Sequence, residues 1–247
     1  MIYSEKLLAF KNMLGESENI VFFGGAGVST ESGIKDYRSK DGIYRTVKDY
    51  GISPEVILSH DFFFANPEVF YDFYKKYFLD CSAKPNNAHY ALSKLENIGK
   101  IRAVITQNID GLHQEAGSKR VFEIHGTADK YYCTKCRKRF SRSYVQQCGS
   151  IVPFCDECGG LVRPDVTLYG EMLNSDIESM AIGALSEADM VIVGGTSLVV
   201  YPAAAYLRYF TGKYIVLINR DETPMDDKAQ LVFRENIGKV LKDVTDD

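Results

Sequence analysis

Apolar positions along this chain fall into short blocks whose period changes from one stretch to the next. Leu7, Leu8, Phe10, Met13 and Leu14 recur at roughly helical spacing and predict a short first helix packed on a sheet. Ile20 to Phe23 is an unbroken apolar run, read as the first strand, and it delivers the chain directly into a glycine-rich turn. From Tyr44 to Phe78 aromatic residues dominate, and Pro54 and Pro67 break the segment into short helices rather than strands. Asn87 to Ile98 carries Ala91, Leu92 and Leu95 on one helical face, and Ile101 to Thr106 and Val121 to Ile124 read as strands. Periodicity is lost from Lys130 to Val162. It returns as a helix from about Ser175 to Glu187, a strand from Met190 to Val193, a helix from about Pro202 to Phe210 and a strand from Tyr214 to Ile218. Strands separated by helical segments imply an α/β protein with a parallel, doubly wound sheet.

A chain of 247 residues can bury a substantial core, and its 45% hydrophobic and 25% charged residues are ordinary for a folded globular protein. The net charge of −4 gives no global reason to bind nucleic acid or an anionic membrane. Met1 to Lys11 mixes charges with apolar residues and does not read as a secretory signal, and no stretch reaches the ~18 apolar residues of a spanning helix. The expected location is therefore the cytoplasm. That bears on the six cysteines, since in a reducing compartment metal binding is a better default than disulfides.

Cys133-x-x-Cys136 and Cys155-x-x-Cys158 are separated by 18 residues, the spacing of a four-thiolate zinc site built from two knuckles. Four thiolates leave no open coordination position, so the zinc is expected to be structural. Cys81 and Cys148 stand outside the pattern. Lys130, Lys135, Arg137, Lys138, Arg139 and Arg142 make this region basic, for which a solvated face is favoured over a nucleic-acid or acidic-partner surface.

Chemistry concentrates at predicted strand ends. Gly24 to Arg38 begins as a phosphate-binding turn, but Thr30 stands where G-x-G-x-x-G needs its third glycine. Ser29, Ser32, Asp36, Tyr37 and Arg38 then crowd polar groups where a Rossmann helix would show apolar periodicity. Gln107, Asn108 and Asp110 follow the strand ending at Thr106 and point toward the same crevice, although Asp110 alone would also suit a helix cap. His125, after a short strand and before Gly126, has two readings, a hydrogen-bonded structural residue or a general base. Gly194 to Ser197 and Asn219 end two further strands. The nine aromatic residues between Phe62 and Phe78 read chiefly as the core of a small helical module.

In combination and in order, GAGVSTESGIKDYR, TQNIDGLH, EIHG, the two cysteine pairs, RPDVTLYGE, GGTSLVVYPA and the late IN closely resemble the sirtuins, NAD-dependent protein-lysine deacylases. The resemblance implies a Rossmann-like part over about 1–38, 86–128 and 163–247, a helical module over about 39–85 and a zinc ribbon over about 129–162. It implies NAD as co-substrate and one structural zinc held by Cys133, Cys136, Cys155 and Cys158. Ala26, Thr30, Tyr37 and Arg38 would belong to the cofactor loop, Gln107, Asn108, Ile109 and Asp110 would line the ribose and nicotinamide pocket, and Thr196, Ser197, Asn219 and Ile237 the rest of the dinucleotide site. His125 takes the family's catalytic place against the ribose, with Asn108 beside it.

The implied reaction removes acetyl groups from protein lysines, giving nicotinamide, O-acetyl-ADP-ribose and free lysine. The substrate backbone is expected to add as a strand between Val166–Glu171 and Leu198–Tyr201. Gly24 departs from the usual threonine of the family, Tyr37 from phenylalanine, and Thr167 and Tyr169 from valine and phenylalanine at the acyl-lysine tunnel. Tyr74 matches the tyrosine of the Tyr-x-x-Arg pair found in desuccinylating members, but Tyr77 occupies the arginine place, which predicts a preference for neutral acyl groups. Two alternatives use the same NAD site: mono-ADP-ribosyl transfer to protein, and a non-catalytic NAD or ADP-ribose binding module with a basic ribbon.

Overall fold

Nine strands organise the described residues, 1–36, 50–79 and 82–246 of the computed structural model: β1 (Ile20–Gly24), β2 (Ile101–Thr106), β3 (Val121–Glu123), β4 (Gly126–Cys133), β5 (Arg139–Ser141), β6 (Val162–Val166), β7 (Met190–Gly194), β8 (Tyr214–Ile218) and β9 (Leu231–Phe233). Six of them form one parallel sheet in the order β3-β2-β1-β7-β8-β9. Every residue of β1 and β7 is buried, and so these strands read as unbroken apolar runs rather than alternating ones. Once the separate antiparallel sheet β5-β4-β6 is set aside, the parallel strands follow the Rossmann order, which reverses between β1 and β7. Gly24 and Gly194 are partners in register at that reversal, at the carboxyl ends of their strands.

Alternate residues of the central strands serve opposite faces. Ile20 and Phe22 pack with Phe10, Leu92 and Leu241, placing the helices Tyr3–Glu16, Asn87–Asn97 and Ile237–Thr245 on one side. Val21 and Phe23 pack with Ala181, Leu185 and Tyr206, placing the helix Ser175–Glu187 and the 3-10 segment Ala203–Tyr209 on the other. The first helix has 14 residues and is longer than its apolar block suggests. The helix expected from Pro202 is 3-10 rather than α.

A third core joins the short helices Pro54–Ile57, His60–Ala65 and Pro67–Tyr74 to the antiparallel sheet. Phe63, Phe70, Tyr71, Phe73 and Tyr74 pack there with Tyr131, Cys133, Cys155 and Val162. Packing therefore uses most of the aromatic residues of this segment. Arg163, only 5% exposed, closes the edge of this core with its two terminal guanidinium nitrogens donating to Glu171, at 2.5 and 2.9 Å, and lies over the Phe63 ring. Among the described residues no helix is long and apolar enough to cross a membrane.

Candidate active site

The two strand-end turns at the sheet reversal touch through backbone. Gly25 N–H donates to the Gly194 carbonyl at 3.3 Å, and Gly27 N–H to the Gly195 carbonyl at 2.8 Å. A Cβ on Gly27 would stand 2.7 Å from Gly195 Cα, while Gly195 itself has φ +60°, so close approach and the left-handed conformation both require glycine here. After Gly25 the chain makes two 3-10 turns, Ala26–Val28 and Thr30–Ser32, instead of a continuous Rossmann helix. That is the structural counterpart of the missing third glycine.

Beside these turns opens a cleft of about 370 Å³. Ala26, Thr30, Gln107, Asn108, Ile109, His125, Thr196, Ser197, Asn219 and Ile237 all line it. Asp110 is not among its lining residues. Its carboxylate accepts from Ser29 Oγ at 2.7 Å and caps the turn at Leu112 N–H at 3.0 Å, so the capping role holds for one oxygen and a link to the glycine turn for the other. Tyr37 and Arg38 lie outside the described residues, as does Cys81.

Hydrogen bonds fix the polar wall. Gln107 Nε2 donates to Thr196 Oγ1 at 3.0 Å, joining the ends of β2 and β7, and Asn108 Nδ2 donates to Ser29 Oγ at 3.1 Å. His125 Nδ1 lies 3.0 Å from the Gln107 carbonyl. A carbonyl only accepts, so Nδ1 carries the proton and Nε2 keeps its lone pair. Burial lowers the His125 pKa, and the Gln107 carbonyl partly opposes that shift. The neutral ring is thus favoured at neutral pH, which suits a base.

The far wall comes from the smaller core. Leu58, Tyr74 and Phe78 line the cleft together with Val166, Thr167 and Leu168. Tyr169 bridges to the helical segment, its N–H donating to the Leu58 carbonyl and its carbonyl accepting from His60 N–H, each at 3.0 Å. Asp36, Glu31, Glu235 and Asn236 also line the cleft, and of these only Asp36 was singled out from the sequence. Glu31 Oε1 accepts from Gly238 N–H at 2.8 Å, at the start of the helix Ile237–Thr245. That helix is not among the elements predicted from the sequence; the apolar spacing of Ile237, Val240, Leu241 and Val244 is the signal that could have found it, whereas nothing local marks Glu31 as its cap.

The four ribbon cysteines place their sulfurs within 4.8 Å of one another. Cys133 and Cys158 Sγ are 3.5 Å apart, and Cys136 and Cys155 Sγ are 3.6 Å apart. Tetrahedral zinc with Zn–S bonds of about 2.3 Å separates sulfurs by about 3.8 Å, so the donor set fits that ion. Lys135 and Cys136 N–H both donate to Cys133 Sγ, as in a thiolate knuckle. Half of the surrounding basic run sits in ion pairs: Lys138 pairs with Asp156 and Glu157, Arg139 with Asp165, and Arg142 with Asp129. Surface pairs of this kind are what a solvated face carries.

Residues 25–202 match the model of the Sir2 family. A NAD-dependent protein deacetylase of Clostridium acetobutylicum is 51% identical over 99% of this chain and 100% of its own length. One from Clostridium tetani is 52% identical, covering 96% of each chain. Among solved structures, a Sir2 protein with a deacetylated p53 peptide and 3'-O-acetyl ADP ribose superposes with a TM-score of 0.90 at 42% identity over 96% of each chain. Sir2Tm bound to a propionylated peptide gives 0.85 at 41% identity over 97% of each chain. With the parallel sheet, the cysteine quartet and the polar cleft in their expected order along one chain, this protein belongs to the Sir2 family.

Proposed function

We propose that this cleft removes acetyl and similar small neutral acyl groups from protein lysines with NAD as co-substrate, releasing nicotinamide, O-acetyl-ADP-ribose and free lysine. The observation that carries the reading is His125 in the cleft wall, its Nδ1 proton committed to the Gln107 carbonyl and its Nε2 left as a base, beside the glycine turns of a Rossmann reversal.

Bound NAD supplies an anomeric carbon from which nicotinamide can depart. The N–H groups of Gly25, Gly27 and Gly195 are given to the carbonyls of Gly194, Gly195 and Ile218, and the Thr30 hydroxyl to that of Gly27, so the phosphates would lie against the turns at Ala26 and Thr196, with Ser197 as a hydroxyl donor. Asn219 and Ile237 would hold the adenosine end, and Ala26, Gln107 and Ile109 the nicotinamide end. Asn108 is oriented through Ser29, which Asp110 holds from behind the cleft wall, so the amide facing the reacting sugar is set before substrate arrives. His125 Nε2 accepts the proton of a ribose hydroxyl, and the positive charge it gains is shared with the Gln107 carbonyl. Leu58, Phe78, Val166 and Leu168 enclose the acyl-lysine arm and exclude water.

The substrate backbone would lie as an added strand between Val166–Glu171 and Leu198–Tyr201, segments that both contribute cleft-lining residues. The zinc ribbon and helical module, expected over about 129–162 and 39–85, would form the small part of the molecule; the shared core of the described residues 50–79 with the ribbon supports this, and zinc would hold it without entering the chemistry. We place the reaction in the cytoplasm, where the thiolates stay reduced.

Incubation with an acetyl-lysine peptide, with and without NAD, tests this by mass spectrometry. NAD-dependent loss of acetyl with appearance of O-acetyl-ADP-ribose is expected. His125→Ala should abolish turnover while NAD still binds in calorimetry. ADP-ribose on the acceptor, with acetyl retained, would move the assignment to ADP-ribosyl transfer.

A further inference from the structure

Asn86 does not line the cleft, yet it holds the cleft's glycine-rich turn. It is the N-cap of the helix Asn87–Asn97, and its Oδ1 accepts from Ala88 N–H at 2.8 Å. Its Nδ2 reaches the other way, donating to the Val28 carbonyl at 2.8 Å and to Ser32 Oγ at 2.9 Å. Its backbone N–H donates to His89 Nδ1 at 3.2 Å. His89 is fully buried, and burial pushes its pKa down to about 4 against the opposing pull of Asp110, so Nδ1 remains an acceptor at neutral pH.

The clamp acts where the turn is least able to hold itself. The two short 3-10 turns use the carbonyls of Gly25, Ala26, Ser29 and Thr30 for their own backbone bonds, and the Val28 carbonyl is taken by Asn86. Between the two clamped residues sits Ser29, 1% exposed, whose Oγ donates to Asp110 and accepts from Asn108. We propose that Asn86 is a positioning residue for the cofactor end of the site: by fixing Val28 and Ser32 it sets Ser29, and through Ser29 the side chains of Asn108 and Asp110. Helix capping alone would need only the oxygen of Asn86. The amide nitrogen serves the turn.

This inference rests on the reading of the cleft as a NAD site, and the experiment separates the two. Asn86→Ser keeps a capping oxygen but removes the Nδ2 donor, so helix stability and turn positioning are uncoupled. Loss of two hydrogen bonds that hold the turn should raise KM for NAD about tenfold, with KM for acetyl-peptide changed less than about twofold and the thermal midpoint within a few degrees of wild type. Ser32→Ala should raise KM for NAD less than Asn86→Ser does and add little on top of it, since one of the same bonds is removed. A folded Asn86→Ser protein with wild-type KM for NAD, or with both KM values raised alike, overturns the positioning role. Should wild type fail to deacetylate, the functional reading falls, and calorimetric titration with NAD still decides the clamp: equal Kd for wild type and Asn86→Ser overturns it, and a Kd raised about tenfold in the variant supports it.

Discussion

Replacing His113 with phenylalanine tests whether the core carries an uncharged imidazole. His113 is 1% exposed, its ring centroid lies 4.7 Å from that of His89 and 6.0 Å from that of Phe22, and neither ring nitrogen has a hydrogen-bond partner among the described residues. Burial, reinforced by His89, pushes its pKa down to about 3. In the unfolded chain the ring titrates near ~6.5. Between these values the unfolded chain binds a proton that the native state does not, so the stabilising effect of neutrality is complete above the unfolded pKa and declines as pH falls toward the native one.

The slope is about 1.4 kcal/mol per pH unit, which integrates to about 2 kcal/mol between pH 7 and pH 5. His89, lowered to about 4, adds a term of the same sign. Glu123 opposes both: burial raises its carboxyl to about 7, so the native state holds a proton that the unfolded chain releases, and that contribution is lost as pH rises through 7. Wild-type stability against pH therefore mixes several contributions, His125 and Glu171 among them, and the variant isolates one. Urea unfolding at both pH values should give a wild-type minus His113→Phe difference about 2 kcal/mol larger at pH 7 than at pH 5. A difference that is the same at both pH values would refute the buried neutral imidazole.

Three other outcomes follow from packing and donor chemistry. Cys155→Ser should lose the zinc counted by elemental analysis, near one per wild-type chain, and should lose deacetylation with it, because Cys133 and Cys155 are buried in the same core as Tyr71 and Tyr131; a zinc-free variant with wild-type activity would refute the structural role. Gly27→Ala would put a Cβ 2.7 Å from Gly195 Cα and 2.8 Å from its carbonyl oxygen, and since backbone cannot yield as a side chain does, NAD affinity in calorimetry should fall at least about tenfold. Acetyl- and propionyl-peptides should exceed succinyl-peptide in kcat/KM by at least about tenfold, since Tyr77 packs on Phe73 and the one cation among the described lining residues, Arg220, follows β8 rather than standing beside Tyr74 and Phe78. Comparable desuccinylation would overturn that reasoning.

Much of this molecule is determined locally. An unbroken apolar run can be satisfied only by burial on both faces, so Ile20 to Phe23 and Met190 to Val193 declare central parallel strands. Two C-x-x-C pairs at that spacing leave few ways to arrange four thiolates, and the ribbon follows. Glycines at strand ends mark where backbone must approach backbone or ligand closely. What the sequence could not declare is which distant groups meet. Asp110 might cap a helix or face a crevice, and the fold gives one oxygen to Leu112 and the other to Ser29, 81 residues away. His125 has two readings as a lone histidine; only the Gln107 carbonyl, placed by β2, fixes its tautomer. Asn86 looks like an ordinary helix cap until the packing of Asn87–Asn97 against the sheet brings its amide to Val28. Spacing and periodicity are properties of neighbours in the chain, whereas protonation, tautomer and orientation depend on neighbours in space, and those exist only after the sheet has closed its order.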